Sequence, residues 1–263
     1  MKAVILGDGY LGKAIAAYSP DSKLIVSSYL RHTLVGWDDV KELGRLTYGF
    51  DVLINALGKT NVSWCEKSEN WHDVRYANST FPEMRSDLCT SVQCKLVHLS
   101  SGVLYDSPLF STESSTLIAR SKYALSKWAG ELNVDESRHL ILRTASVFDS
   151  TEHKQNWLWR TLQYPTLSDG EVSICHISTL VQAIEALIAA EQVGVVNVAN
   201  SGLVSPATVG ELLGWDKTTI TVDLLRTLNR YPVSSRMNIG KLSNFFIPPN
   251  IELLLESSWD GLK

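Results

Sequence analysis

Tyr123 and Lys127 stand four residues apart, as Y-x-x-x-K, in a stretch (119–133) whose apolar spacing predicts a helix. An i, i+4 pair shares one helix face, so the ammonium can lie beside the phenol or beside a ligand that touches both. A free tyrosine titrates near pH 10; a cation within about 4–6 Å lowers that by roughly one to three units. Tyr123 is therefore a candidate general acid or base, with Lys127 as its electrostatic partner. The spacing alone is weak, because chance gives about 0.4 such pairs in a chain with this many tyrosines and lysines. Ser100-Ser101-Gly102 strengthens it by closing the predicted strand Lys95–Ser101. Ligands of open α/β sheets bind beyond the carboxyl ends of strands, where a Ser101 hydroxyl can hydrogen-bond a carbonyl while Tyr123 transfers its proton. The plainer alternative makes Ser101 a turn residue and Tyr123 an exposed helix residue.

A second pattern opens the chain. Gly7-Asp8-Gly9-Tyr10-Leu11-Gly12 fits G-x-G-x-x-G between a predicted strand and a predicted helix. The first glycine permits the tight turn, the second admits a pyrophosphate, and the third lets helix and strand touch. The free N–H groups and positive dipole at the helix start favour phosphate there. Gly7, Gly9, Tyr10, Leu11 and Gly12 are thus the expected dinucleotide loop. The acid expected about twenty residues on is missing. Ser27 and Ser28 stand in its place with Arg31 close behind. A carboxylate would repel a ribose 2′-phosphate, whereas Ser28 and Arg31 would accept one, so NADP is expected over NAD. Arg31 as a solvated loop residue is the alternative.

The elements that must position these groups alternate. Lys2–Leu6, Lys23–Ser28, Asp51–Leu57, Lys95–Ser101 and His139–Arg143 read as strands, with helices over 10–18, Trp37–Leu43, 70–92 and 119–133. Continuous apolar strands separated by helices point to an α/β fold, a Rossmann-type doubly wound parallel sheet covered on both faces. After about residue 150 the pattern loosens, although the helix Thr179–Ala190 and strand Val195–Ala199 still fit the sheet. Residues 1–150 are expected to form the nucleotide-binding domain, with 176–200 returning to it. Residues 151–175 and 201–263 are expected to form a small C-terminal substrate lobe, without a flexible linker between.

Composition excludes several classes. The 263 residues are 44% apolar and carry a net charge of −4 without a basic block, which argues against nucleic-acid binding. No apolar run approaches the roughly 18 residues of a membrane span, and the first apolar run is too short for a signal peptide. Cysteines at 65, 89, 94 and 175 form no CxxC and six histidines are scattered, so neither a metal site nor disulfides are expected. A cytoplasmic protein is the expectation, with a homodimer left open. Trp157 and Trp159, beside Asn156, could wall a substrate pocket or fill a core. Arg230 and Arg236 could hold a diphosphate or face solvent. His176, before the long helix, and His98, within a strand, read as packed or capping groups.

Taken in order, these residues resemble the extended short-chain dehydrogenase/reductases, and among them the dTDP-4-dehydrorhamnose reductase branch. The resemblance rests on GDGYLG at 7–12, DVLINALGKTNV at 51–62, Ala77-Asn78, HLSSGVLYD at 98–106, YALSKWAGE at 123–131, LRTASVF at 142–148 and HISTLVQAI at 176–184. RYP at 230–232 and SRMNIGKL at 235–242 add to it. It implies a Rossmann sheet with a small lobe for a nucleotide sugar, and Ser101, Tyr123 and Lys127 as the catalytic set. It further implies Asn55, Ala56 and Leu57 along the adenosine-ribose side of the cofactor. Asn78 would help hold the catalytic helix, and Arg143 and Thr144 would flank the nicotinamide. The chain departs from the pattern at Lys59, Gly102 and Asp149, where the branch carries an aromatic, an acid and a glycine.

The reaction expected is NADPH-dependent reduction of a C4 keto group on a nucleotide-linked deoxysugar. An NAD-retaining epimerase or dehydratase is the competing enzyme. A regulatory subunit that binds a dinucleotide without catalysis is the competing class, though it would have no need of an intact Ser–Tyr–Lys set.

Overall fold

A computed structural model describes residues 3–18, 23–25, 49–105, 107–227 and 235–262. In chain order the principal elements are β1 (Ala3–Leu6), α1 (Tyr10–Tyr18), β2 (Lys23–Ile25), β3 (Val52–Asn55), α2 (Val62–Cys65), α3 (Trp71–Arg75) and α4 (Phe81–Ser91). They continue with β4 (Lys95–Ser101), β5 (Ser107–Ser111), α5 (Lys122–Leu132), β6 (Leu140–Thr144), β7 (Ser146–Phe148), α6 (Trp157–Leu162), β8 (Thr166–Ser168) and β9 (Ile174–His176). The last are α7 (Ile177–Ala189), β10 (Gly194–Val198), α8 (Pro206–Leu212), β11 (Thr218–Ile220), α9 (Val222–Thr227), β12 (Ser235–Met237), α10 (Gly240–Ser243) and α11 (Ile251–Asp260). The chain divides into two compact units, Met1–Leu104 with Ala119–Arg143 and Leu187–Val196, and Tyr105–Ile118 with Thr144–Ala186 and Asn197–Lys263.

The central sheet has six strands in the order β10-β6-β4-β3-β1-β2. β1 pairs in parallel with both β2 and β3, and β3 with β4. Every residue of β1, β3 and β6 is buried, which is why these strands read as unbroken apolar runs rather than alternating ones. The Rossmann-type α/β fold expected from the sequence is the fold found. Val4, Leu6, Leu53, Leu96 and Ile141 of the strands pack with Phe81 and Leu88 of α4 and with Val134.

One of the expected helices is modified. The stretch 70–92 is not one helix: α3 and α4 are joined by a π-helical turn, Tyr76–Thr80. Such turns insert one residue into the α-helical ladder and cluster at functional sites. The expected helix Trp37–Leu43 lies outside the described residues.

In the second unit Phe148, Trp157, Leu158, Ile174, Val204, Val209, Ile251 and Leu255 form a core of their own. Small parallel pairs, β7 with β9 and β8 with β11, frame it. No helix among the described residues is long and apolar enough to cross a membrane.

Candidate active site

The glycine loop follows β1 and leads into α1. Gly7 has φ +103°, which strains any side chain. A methyl group on Gly12 would lie 1.7 Å from the Gly7 carbonyl oxygen. Helix and turn therefore touch backbone to backbone, the cradle that lets a pyrophosphate approach main-chain N–H groups. Tyr10 is buried on α1 and Leu11 is half-buried beside it. Ser28 and Arg31, on which the preference for NADP rests, lie outside the described residues.

The second wall comes from β3 and the loop after it. Asn55 is buried and its Oδ1 accepts a hydrogen bond from the Leu57 N–H at 3.2 Å, tightening the turn in which Ala56 and Leu57 stand half-buried. Asn55 is paired in register with His98 of β4, and its amide nitrogen lies 3.2 Å from His98 Nδ1. That bond assigns the His98 proton to Nε2, which has no hydrogen-bond partner among the described residues. Burial first, and the Lys127 charge second, hold His98 well below its usual pKa, so it is neutral. The expected core histidine is thus half satisfied.

Helix α5 carries Tyr123 and Lys127. Ser121 caps it, accepting from the Ala124 N–H. The Lys122 N–H donates to the Glu66 carboxylate at 2.7 Å, fixing the start of the helix against the end of α2. Tyr123 is half-buried. Lys127 is only 4% exposed, and its Nζ donates to the Leu99 carbonyl of β4 at 2.7 Å. That bond anchors the helix beside the strand end that bears Ser101, whose Oγ accepts from the Val103 N–H at 3.3 Å. Burial lowers the Lys127 pKa to about 8, and Glu131 opposes the fall.

Asn78 braces the same helix from the π-helical turn. Its carboxamide clasps the Lys59 main chain both ways, accepting from the N–H at 2.8 Å and donating to the carbonyl at 2.9 Å. It also donates to Ser126 Oγ at 2.9 Å, and the Ser126 hydroxyl donates to the Tyr123 carbonyl at 2.7 Å. Gly130 permits this approach, because a methyl group there would meet the Asn78 carbonyl at 2.0 Å.

Arg143, at the end of β6, directs its guanidinium to Glu131 of α5. Its Nε lies 3.1 Å from both carboxylate oxygens and its Nη2 donates to Oε2 at 2.7 Å. The Ser100 hydroxyl donates to Oε1 of the same carboxylate. No local pattern signals this cluster, although Glu131 stands four residues after Lys127. Its partners are 12 and 31 residues away, beyond any local pattern.

In the second unit, Thr144 closes β6 and is buried. Asn156 is fully buried and caps α6: its Oδ1 accepts from the Leu158 N–H, while its Nδ2 donates to the Asp149 carbonyl and carboxylate and to the Thr151 carbonyl. Trp157 is in the core. Capping and packing account for the contacts of both side chains. Arg236 donates to Glu171 at 2.8 Å, and Arg230 lies outside the described residues. His176 lies with Nδ1 2.7 Å from Ser178 Oγ and its ring edge-on to Phe148, a capping and packing group. No group of three or more His, Cys, Asp or Glu that could hold a metal ion occurs among the described residues.

The family model described as the RmlD substrate binding domain matches residues 1–198. No curated protein sequence matches. Among solved structures, a dTDP-4-dehydrorhamnose reductase from Bacillus anthracis in complex with NADP superposes with a TM-score of 0.81 at 19% identity, covering 100% of this chain and 99% of that one. A UDP-rhamnose synthase from Acanthamoeba polyphaga mimivirus gives 0.82 at 16% identity, covering 98% of each chain. A UDP-glucuronic acid 4-epimerase from Bacillus cereus in complex with NAD gives 0.75 at 15% identity, covering 100% and 96%.

Proposed function

The chain belongs to the RmlD substrate binding domain family, and from that membership we propose that it reduces the C4 keto group of a nucleotide-linked deoxysugar at the expense of NADPH. The reading is supported most by one observation: Lys127, buried with its Nζ on the Leu99 carbonyl, lies one helical turn from Tyr123 and beside the strand end that carries Ser101.

The glycine cradle of Gly7, Gly9 and Gly12 fits a dinucleotide, with Tyr10 and Leu11 at its helix and Asn55, Ala56 and Leu57 on the strand and loop beside it; the preference for NADP rests on the sequence at Ser28 and Arg31, outside the described residues. A reduced dinucleotide held there would supply hydride-transfer chemistry toward C4. Ser101 hydrogen-bonds the carbonyl oxygen and holds it toward Tyr123. Tyr123 donates its proton as that oxygen gains negative charge. Lys127, cationic below about pH 8, favours the phenolate left behind. Asn78, through Ser126, keeps the Tyr123 turn of α5 in place.

NADPH oxidation measured against a panel of nucleotide-4-keto-sugars tests the reading. Stoichiometric NADPH consumption with at least one of them is expected. Tightly retained NAD that turns over without net consumption would instead establish an epimerase. Native activity unaltered in Tyr123→Phe would establish a dinucleotide-binding regulator.

A further inference from the structure

We infer that Glu131, clamped by Arg143 and Ser100, is a positioning residue for Lys127 and reaches the proposed reaction only through that lysine. The inference rests on the reductase reading above and adds a residue to it. Glu131 and Lys127 lie at i, i+4 on one face of α5, and both are buried. The carboxylate is fixed from two strands: β6 supplies the Arg143 fork and β4 the Ser100 hydroxyl. A carboxylate so held has lost the rotamer freedom that makes exposed helix pairs weak.

The groups that face Lys127 can be named element by element. From α5 come Tyr123 and Glu131, and from β4 the Leu99 carbonyl and the neutral His98. From β6 comes Arg143, acting through its carboxylate partner. Glu131 is the anion of this set. Burial alone would drive the ammonium to release its proton, and Glu131 opposes that release. Without it, Lys127 would deprotonate within the neutral range, and Tyr123 would lose the cation that favours its phenolate.

The test reads the lysine directly. In Glu131→Gln, the titration of Lys127, followed by the carbon resonance of ε-labelled lysine and assigned against Lys127→Arg, is expected to move about one pH unit lower. The alkaline limb of kcat for NADPH oxidation is expected to move with it. Removing one member of a buried pair can unfold a protein. The double variant Glu131→Gln with Arg143→Met removes both charges and is read the same way. A Lys127 titration that stays at its native midpoint in whichever variant folds overturns the inference. The resonance needs no substrate. If no 4-keto-sugar is reduced by the unaltered protein, the proposed function fails, and the lysine titration still decides what Glu131 does.

Discussion

Buried polar side chains do different work in the two compact units. In the first they brace the helix that carries the candidate catalytic groups: Asn78 reaches the Tyr123 carbonyl through Ser126, and Arg143 and Ser100 converge on the carboxylate one turn from Lys127. In the second they mainly hold loops and turns together. Asn156 caps α6 and clasps the Asp149–Thr151 turn. Asn197 donates to the Ser111 and Asn238 carbonyls, and Asn200 donates to the Pro249 carbonyl. A buried polar network points to function where it converges on the helix turns that carry the candidate catalytic groups. Where it clasps loops and turns, it replaces hydrogen bonds that irregular chain would otherwise lack.

The largest expected effect separates the two kinds. Tyr123→Phe should lower kcat for NADPH oxidation by about 10²–10⁴, on the order of 3–5 kcal/mol of barrier, and leave the melting temperature close to that of the unaltered protein. An unmoved kcat would remove the general acid from the first unit and erase the contrast.

Much of the first unit was legible because its constraints are local. Gly7 and Gly12 announce a turn whose backbone contact excludes side chains. The strands are continuous apolar runs because the sheet is covered on both faces, and Tyr123 and Lys127 share a face because helices repeat every 3.6 residues. The π-helical turn at 76–80 was not legible, since one inserted residue leaves the apolar spacing of 70–92 almost intact. Nor was the Glu131 cluster, assembled by the pairing of β4 with its neighbours. The cap at Asn156 was not legible for a related reason: an asparagine before a tryptophan looks the same whether it meets a ligand or caps a helix.

The next effect tests charge. Lys127 has a folded-state pKa of about 8 against an ordinary 10.5. Between those values the unfolded chain holds a proton that the folded chain has released, so stability rises with pH through this window and the penalty is complete below about pH 8. The full penalty is about 3 kcal/mol. Urea midpoints of the unaltered protein and Lys127→Met, compared at about pH 7 and about pH 10, should converge or cross in favour of the unaltered protein by most of that amount. The buried amides of the second unit contribute no such slope. A parallel pH dependence in both proteins would place the Lys127 ammonium in a solvated setting.

Asn156→Ala should show the opposite pattern to Tyr123→Phe. It removes the cap on the Leu158 N–H and leaves the Asp149 and Thr151 carbonyls without its amide, at a cost of about 2 kcal/mol. The lowered urea midpoint should come with a KM for the nucleotide sugar close to the native value. A large rise in KM at native stability would return Asn156 to the substrate.

The smallest effect lies inside the first unit and asks how far its network extends. The Lys59 main chain is clasped by Asn78 on both sides, while its ammonium lies 4.9 Å above the Trp64 ring. The clasp belongs to the network that reaches Tyr123; the ring contact is a local one with a half-buried cation. Lys59→Ala keeps the backbone N–H and carbonyl, so the Asn78 bonds survive and the loss is that of a partly solvated cation–π pair, about 0.5–1 kcal/mol. Asn78→Ala, by contrast, strips partners from the Lys59 N–H, the Lys59 carbonyl and Ser126 together, and should cost several times as much. Urea midpoints of the two variants measure the ratio. Equal losses would mean that the loop after β3 is held by the ring contact rather than by the carboxamide, and that the path from Asn78 to Tyr123 is not what fixes α5.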